Sequence, residues 1–276
     1  MSSISRNATK LGRMYTNGTK SYFSVTTILN GLYAKGKFFD TWLKNLGHFA
    51  DIFTKAKQQR GTFVHEILHI MKSDPLCVVD RPYLHDMIHE YMDSVSIQFF
   101  HGKNSVVDSV MKYIESYQKW HSDYKITYLG SEVMLFHPEL DWAGAVDDPI
   151  INHTLGHNMI CDIKTGGAYD THVLQCVAYA LLWNKIYPKH KMTAVGILYI
   201  KDEYTKAPTY KFESLELDSP KGKKAIEQWG HTMKLWRLKY AHRAGTLKGK
   251  KWETTSAQRE RKKKSTREIV ETNNHE

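Results

Sequence analysis

The sequence predicts an α/β fold in which helices pack on a central mixed sheet. Near Ser131 the apolar pattern changes from helical spacing to strand-length segments joined by short turns. A helix-length pattern follows, and after it the apolar run from Ala194 to Ile200 has the length and composition of a buried strand. A strand that follows a crossover helix usually runs parallel to its predecessor, so the sheet should contain both parallel and antiparallel pairs.

The chain is long enough for one large domain, with 276 residues of which 41% are hydrophobic. Residues 1–20 are polar and lack periodicity, which predicts an N-terminal arm, either extended or a short hairpin. Residues 21–244 form the single domain, with a helical insertion at about 80–122. Residues 245–276 are strongly charged and predict a basic, disordered tail.

Several helices are expected in the first half of the domain. The segment SVTTILNGLY predicts a helix capped by Ser24, whose hydroxyl has phosphate contact as an alternative role. A second apolar stripe contains Trp42 and is closed by Gly47. The stretch RGTFVHEILHIMK predicts a helix with His65 and His69 one turn apart, and residues 81–121 predict two helices broken near Gly102.

Three strands of an antiparallel meander are predicted from EVMLFH, DWAGAVDDPII and MICDIKT. Neighbouring strands would bring Glu132, Asp147 and Asp162 into one site. Side chains at positions i and i+2 of a strand share a face, so Asp162 and Lys164 should emerge side by side while Ile163 points into the core.

This set of residues has the chemistry of phosphodiester hydrolysis. Two carboxylates on neighbouring strands bind a hard cation such as Mg²⁺ and leave coordination positions for water and a phosphate oxygen. A lysine ammonium polarises the attacking water or holds the phosphate. After a glycine turn, the next helix should place Gln175 and Tyr179 together near the end of the strand.

The last third of the domain predicts a helix that ends near Tyr187, then the strand from Ala194 to Ile200 and a further strand, YKFESLEL. A basic amphipathic helix from Lys221 to Tyr240 follows, with Trp229 and Trp236 on its apolar side.

Five separated motifs, in order RGTFVH, Glu132, GAVD, DIKTG and QCVAY, resemble the PD-(D/E)xK nuclease superfamily and its RecB-like branch. The resemblance covers roughly residues 22–201. SVTTIL and the tryptophan-bearing helix are also similar to the mitochondrial genome-maintenance exonuclease subgroup. The resemblance implies a restriction-endonuclease-like αβββαβ core with a central mixed sheet and additional helices over the active site.

The resemblance also implies roles for the matching residues. The implied catalytic residues are Lys164, Asp162, Asp147, His65, Glu132, Gln175 and Tyr179, with Glu132 the weakest match. The implied ligands for Mg²⁺ or Mn²⁺ are His65, Asp147, Asp162 and the carbonyl of Ile163. The predicted DNA contacts are Arg60, Ser24, Gln175 and Tyr179.

The expected activity is that of a metal-dependent DNA exonuclease that prefers single-stranded ends and acts as a monomer in replication, repair or recombination. The formal charge of +10 favours a polyanionic partner, because clustered Lys and Arg gain affinity by releasing counterions from phosphates. Two alternatives stay open: a RecE-like, duplex-degrading recombination exonuclease that works as a ring, and a DNA-binding accessory protein with a decayed site.

A competing pattern is HEILH, which matches the HExxH motif of zinc proteases. A metzincin continuation is missing because Lys72 and Pro75 stand where Gly and His would be required. Glu90 would be a third zinc ligand, but this interpretation leaves GAVD, DIK and QCVAY unexplained. We therefore expect His65 to act alone and His69 to lie in the core or behind the site.

The three cysteines contain no CxxC pair. CRISPR-associated relatives and one bacterial helicase–nuclease subunit hold an iron–sulfur cluster on four cysteines, so no cluster is expected, and Cys161 and Cys176 should pack as small apolar residues. No stretch resembles a signal peptide or reaches the roughly 18 apolar residues of a membrane span. These features predict an intracellular, soluble protein in the cytoplasm, or in the host cytoplasm if it is viral, with no membrane partner.

Overall fold

The computed structural model describes residues 4–9, 12–17, 20–33, 37–74, 76–203 and 207–247. In these ranges the strands are β1 (Ile4–Thr9), β2 (Gly12–Asn17), β3 (Lys20–Ser24), β4 (Ile126–Tyr128), β5 (Val133–Phe136), β6 (Trp142–Val146), β7 (Asp148–Asn152), β8 (His157–Lys164), β9 (Ala194–Ile200) and β10 (Tyr210–Glu216). The helices are α1 (Val25–Leu32), α2 (Lys37–Leu46), α3 (Ala50–Ser73), α4 (Arg81–Tyr91), α5 (Ser94–Phe99), α6 (Lys103–Tyr124), α7 (Asp170–Ile186) and α8 (Pro220–Leu247), with a 3₁₀ turn at Gly47–Phe49.

The predicted α/β class is confirmed. The strands form two sheets, one in the order β1-β2-β3-β6-β5 and one in the order β10-β9-β8-β7-β4. In the second sheet β8 pairs with β9 in parallel, whereas β7 pairs with β8 and β9 with β10 in antiparallel fashion, so this sheet is mixed as expected. In chain order α3, β5, β6 with β7, β8, α7 and β9 follow the αβββαβ sequence of elements.

The predicted strand DWAGAVDDPII is in fact two strands, and the simple three-strand meander is wrong. β6 pairs with β3 and β5 in the first sheet, β7 pairs with β4 and β8 in the second, and Asp147 is the one residue between them. The segment is apolar on both sides of the aspartate pair, so the local pattern carries no sign of the change of sheet. The consequence is that Asp147 lies where the two sheets diverge.

Helices cover the second sheet on both faces. One core cluster joins α1, α7 and α8 to β5, β6 and β9, and its buried residues include Val177 and Trp229. The other joins α3 to α6 with β7, β8 and β9, and its buried residues include Phe63 and Trp120. The predicted helical insertion is therefore a wall packed against the sheet through its own apolar face.

Residues 81–121 form three helices, not the two that were predicted. The break near Gly102 is present, and a second break falls at Met92 and Asp93. There the Asp93 carboxylate accepts a hydrogen bond from the amide of Ser96 at 2.8 Å and caps α5. An aspartate cap begins a new helix without any Gly or Pro, which is why the breaker residues alone did not reveal it.

The two ends of the chain add to the predicted domain. In the N-terminal arm, β1 and β2 form an antiparallel hairpin that β3 extends. At the other end α8 continues to Leu247, three residues into the predicted tail, and residues 248–276 lie outside the described part of the chain. Trp229 and Trp236 are buried, as the amphipathic pattern predicted. Within the described ranges, no helix has the length and apolar character needed to cross a membrane.

Candidate active site

Strand register brings the backbones of the three predicted acidic residues into one row. Asp148 of β7 pairs with Cys161 of β8, so one further step along each strand sets Asp147 beside Asp162. On the other side Val133 pairs with Val146, and the amide of Glu132 donates a hydrogen bond to the carbonyl of Asp147 at 3.0 Å. Residues separated by about fifteen positions thus meet because the chain turns back twice.

Asp147 and Asp162 lie close enough to share a hydrogen bond between their carboxyl groups. Burial, together with the negative charge of Asp147, raises the pKa of Asp162 to about 7 against the opposing effect of Lys164. Burial alone would also raise the pKa of Asp147, but His65 and Lys164 outweigh it and the pKa is lowered. Two like charges at this distance do not both ionise easily, so the site is poised to accept a cation.

Lys164 lies directly against Asp162, as the strand alternation predicted. Its Nζ atom is 2.5 Å from Oδ2 of Asp162, and Nε2 of Gln175 donates a hydrogen bond to Oδ1 of Asp162 at 3.3 Å. Burial would lower the pKa of Lys164, but the carboxylates of Asp162 and Asp147 reverse the effect and raise it. The lysine is therefore held as an ammonium group within the site.

His65 approaches the same site from α3. Its Nδ1 atom is 3.8 Å from Oδ2 of Asp147, and burial lowers its pKa, which favours the neutral imidazole that a metal ligand needs. Gly61, one turn earlier, explains how the helix comes so near: a Cβ there would lie 3.1 Å from Oγ1 of Thr165, at the end of β8. The glycine of the RGTFVH motif thus permits close packing of α3 on the strand end.

Tyr179 and Ile163 support the site from within the core. Tyr179 is 4% exposed, and its ring lies over Gly144 of β6, where an added Cβ would be 2.3 Å from the ring. Burial and the nearby Asp162 raise the pKa of Tyr179, so its hydroxyl stays protonated. Ile163 stands between Asp162 and Lys164 in the sequence of β8, and its side chain is buried in the core, as predicted.

Glu132 is near the site but points differently from the two aspartates. Its side chain is exposed, and its backbone has a φ of 50°, an uncommon conformation for a residue other than glycine. The structure therefore brings the Glu132 backbone onto Asp147, while the carboxylate lies at the solvent edge.

Two predicted DNA contacts are corrected by their burial. Ser24 is 1% exposed, and its hydroxyl caps α1 by accepting from the amide of Thr27 at 3.0 Å while donating to Oγ1 of Thr27 at 2.8 Å. Arg60 is 6% exposed and donates to Oδ2 of Asp202 at 2.6 Å and to Oγ of Ser109 at 2.9 Å. Both side chains are committed to internal hydrogen bonds, so neither is placed to hold a phosphate.

The geometry around HEILH does not assemble a zinc site. His65 faces Asp147, whereas Nδ1 of His69 is 2.9 Å from Oγ of Ser131 behind the site. Throughout the described ranges, no three His, Cys, Asp or Glu side chains are arranged to hold a metal ion. Cys161 and Cys176 are buried free thiols in the two core clusters, as expected.

A buried ion pair behind the site was missed by the sequence reasoning. Nζ of Lys72 is 2.6 Å from Oδ1 of Asp148, with side chains that are 7% and 0% exposed. Lys72 lies seven residues after His65, two helical turns along the same face of α3, and Asp148 directly follows Asp147. That spacing was the available signal, but the pairing joins residues 76 positions apart and is set by the tertiary fold.

The donor set suits a hard divalent cation. Magnesium typically takes one or two protein carboxylates and completes its octahedron with waters and substrate phosphate oxygens, so Asp147 and Asp162 suffice without a third acidic ligand. Oδ2 of Asp162 is buried and lacks a partner of hydrogen-bond geometry among the described residues, although Lys164 lies beside it. The imidazole of His65 lies 3.8 Å from the second carboxylate, that of Asp147.

Comparison with known proteins adds little to this geometry. No family model matches the chain, and no curated protein matches it. One similar solved structure is the crystal structure of LHK-Exo in complex with dAMP, with a TM-score of 0.37 and 9% sequence identity over 67% of this chain and 90% of that one. A likeness at this level carries no argument about activity, so the function has to be argued from the site.

Proposed function

We propose that the protein is a metal-dependent nuclease that hydrolyses phosphodiester bonds. The observation that carries this proposal is the convergence of a buried carboxylate, Asp162, and a half-buried one, Asp147, with an ammonium group 2.5 Å from Asp162. Isolated Asp-x-Lys pairs on strands are common salt bridges. Here, however, the pair lies beside a second acid and a histidine whose pKa is lowered, and a cluster of titratable groups with shifted pKa values is typical of functional sites.

In the proposed mechanism Asp147 and Asp162 would hold Mg²⁺ or Mn²⁺, and His65 and the carbonyl of Ile163 would become further ligands on binding, since the described side chains are not grouped as a three-residue metal site beforehand. When bound, such a cation lowers the pKa of a water molecule and offsets negative charge on the phosphate. Lys164, kept protonated by the carboxylates, holds the attacking water or a phosphate oxygen by hydrogen bonding.

Two residues of α7 position the reacting groups. Gln175 donates to Oδ1 of Asp162 and so fixes the orientation of this carboxylate, whose Oδ2 lies beside Lys164. Tyr179 packs against Gly144 of β6 and so supports the site from the core side.

Within this class, we propose a DNA exonuclease that acts on single-stranded ends in replication, repair or recombination. The support is the order of the five motifs and the excess of 39 Lys and Arg over 29 Asp and Glu. A duplex-degrading ring enzyme is the main rival, and light scattering on the purified protein distinguishes them because a ring requires an oligomer. Faster digestion of duplex than of single strands would reject the single-strand preference.

The decisive experiment replaces Asp162 or Lys164 with Ala and follows cleavage of end-labelled oligodeoxynucleotides with Mg²⁺, with Mn²⁺ and with a chelator. We expect each substitution to reduce cleavage on the order of a thousandfold while the variants stay folded and still bind DNA. Asp108→Ala is the matched control, because Asp108 forms an exposed ion pair with Arg81 away from the site. Cleavage as fast as wild type by both site variants would remove the assignment.

A further inference from the structure

Three cavities that share lining residues lie beside the candidate site, and together we call them the groove. The central cavity, about 510 Å³, is lined by Lys164 and Gln175. It shares Thr26 and Asn30 of α1 with a second cavity of about 380 Å³, which reaches the β1–β2 hairpin. It shares Ala168 with a third cavity of about 390 Å³, which lies beyond the loop between β8 and α7. The groove therefore runs along α1, past Lys164, and on over this loop.

The floor of the groove at this loop is formed by Gly166 and Gly167, and the fold itself does not explain these glycines. Neither has a φ in the left-handed region that favours glycine. A Cβ built on Gly166 meets no described atom within 4 Å, and one built on Gly167 makes only ordinary contact with the ring of Tyr169 at 3.8 Å. Both residues are exposed, so an alanine would fit at either position.

Other glycines near the site have a packing reason. A Cβ built on Gly61 would lie 3.1 Å from Oγ1 of Thr165, and a Cβ built on Gly144 would lie 2.3 Å from the ring of Tyr179. Glycine is also used where a ligand approaches the main chain closely, and the exposed backbone of Gly166, two residues after Lys164, is placed for such an approach. The ligand has to be one that passes directly beside Lys164.

Charged groups at the two ends of the groove fit a strand with a phosphate backbone. Arg13 lines the cavity at the hairpin end, and Lys201 and Lys211 line the cavity beyond the loop. Two carboxylates, Asp170 and Glu203, also line the walls. Because acids line the same cavities as the cations, we expect a few localised phosphate contacts, since acidic walls repel a backbone held along its whole length.

We propose that this groove is the track of a single nucleic-acid strand, and that the backbone of Gly166 and Gly167 contacts a phosphate adjacent to the one that is cleaved. The proposal rests on the proposed nuclease function for the identity of the ligand. On one side of the scissile bond the strand lies along Thr26 and Asn30. On the other it crosses the glycine loop toward Lys201.

The test compares Gly166→Ala with Gly230→Ala in the full-length protein. Gly230 is exposed on α8, and a Cβ there also meets no described atom within 4 Å, so it is a matched substitution away from the groove. Two quantities are measured for each variant: the Kd for a labelled single-stranded oligodeoxynucleotide in chelator, and the cleavage rate with Mg²⁺ or Mn²⁺. Thermal melting checks that each variant is folded.

We expect Gly166→Ala to raise the Kd roughly tenfold, the loss of about one charge-assisted hydrogen bond, because the added methyl group holds the phosphate away. Its melting temperature should equal or exceed that of wild type, since alanine restricts the unfolded chain. Lys201→Gln should reduce the slope of log Kd against log salt by about 0.7, the value for one phosphate contact on a single strand.

The outcomes separate this proposal from the proposed function. Equal Kd values for Gly166→Ala and Gly230→Ala would overturn the track even if the wild type cleaves DNA. If the wild-type protein binds the oligodeoxynucleotide but never cleaves it, the nuclease function is overturned. A Kd that is raised in Gly166→Ala and not in Gly230→Ala would still support the track in that case. Failure of the wild-type protein to bind the oligodeoxynucleotide would overturn the track directly.

Discussion

The buried ion pair between Lys72 and Asp148 offers a sharp test of how the site is held. The pair connects α3, which carries His65, to β7, which begins one residue after Asp147. Lys72→Met removes the ammonium group but keeps an unbranched side chain of similar length. It leaves the Asp148 carboxylate fully buried, with Oδ2 already lacking a hydrogen-bond partner among the described residues.

Removing one partner of a buried pair costs about 3–5 kcal/mol, because the remaining charge is left without compensation. We expect about 3 kcal/mol for Lys72→Met, at the low end of that range, since the lysine no longer has to be desolvated. For a chain of this size the loss corresponds to a decrease in melting temperature of ~6–12 °C. Urea denaturation and thermal melting measure the two quantities.

The control for Lys72→Met is Lys119→Met, which breaks the pair between Lys119 and Asp123 at 2.8 Å, with side chains 46% and 39% exposed. An exposed pair of this kind should cost no more than ~1 kcal/mol. Adding Asp148→Asn to Lys72→Met removes the stranded charge and should recover most of the lost stability. The reasoning fails if Lys72→Met costs no more than the control, or if the double variant is no more stable than the single one.

Two further predictions concern Arg60, which is buried against Asp202, and His172, which lines the central cavity. Arg60→Met should lower the unfolding free energy by ~2–3 kcal/mol, because Asp202 loses its ion-pair partner and keeps only the hydrogen bonds from Ser109 and Tyr113. The salt dependence of DNA binding should stay unchanged, and a smaller slope of log Kd against log salt would show that Arg60 contacts DNA. Burial, and to a smaller extent the charge of Lys164, lower the pKa of His172 to about 4. As the pH falls from 6.5 toward 4, His172 therefore takes up a proton in the unfolded chain before it does so in the folded one, and the unfolding free energy decreases. The wild type should therefore lose more unfolding free energy than His172→Gln when the pH falls from about 7 to about 4.5, and the difference in urea titrations should be roughly 2 kcal/mol. An equal loss in both proteins would contradict the lowered pKa of His172.

Much of the candidate site follows from local spacing. Alternation along a strand places Asp162 and Lys164 on one face, and the structure has them 2.5 Å apart. Helical spacing likewise places Gln175 on the side of α7 that reaches Asp162. These relations hold between residues of one element, so the repeat of that element is enough to predict them.

Local pattern gave no guide to which polar residues are buried. Arg60 has the same local appearance as an exposed phosphate contact, but its partner Asp202 lies 142 positions away. The hydroxyl of Ser24 caps a helix as predicted, and its burial beneath neighbouring elements is what removes it from solvent. Burial depends on which segments pack above a residue, and single-chain spacing contains no information about that.

By itself the sequence determined the α/β class, the helix and buried strand that follow β8, and the pairing of acid with lysine on β8, because these depend on short periodic patterns and on an ordered set of motifs. Tertiary structure alone decided that the chain changes sheets at Asp147 and that the register sets this residue beside Asp162. A shift of one residue in that register would turn one aspartate to the opposite face. The site therefore depends on long-range strand pairing, which is fixed only when the whole core is packed.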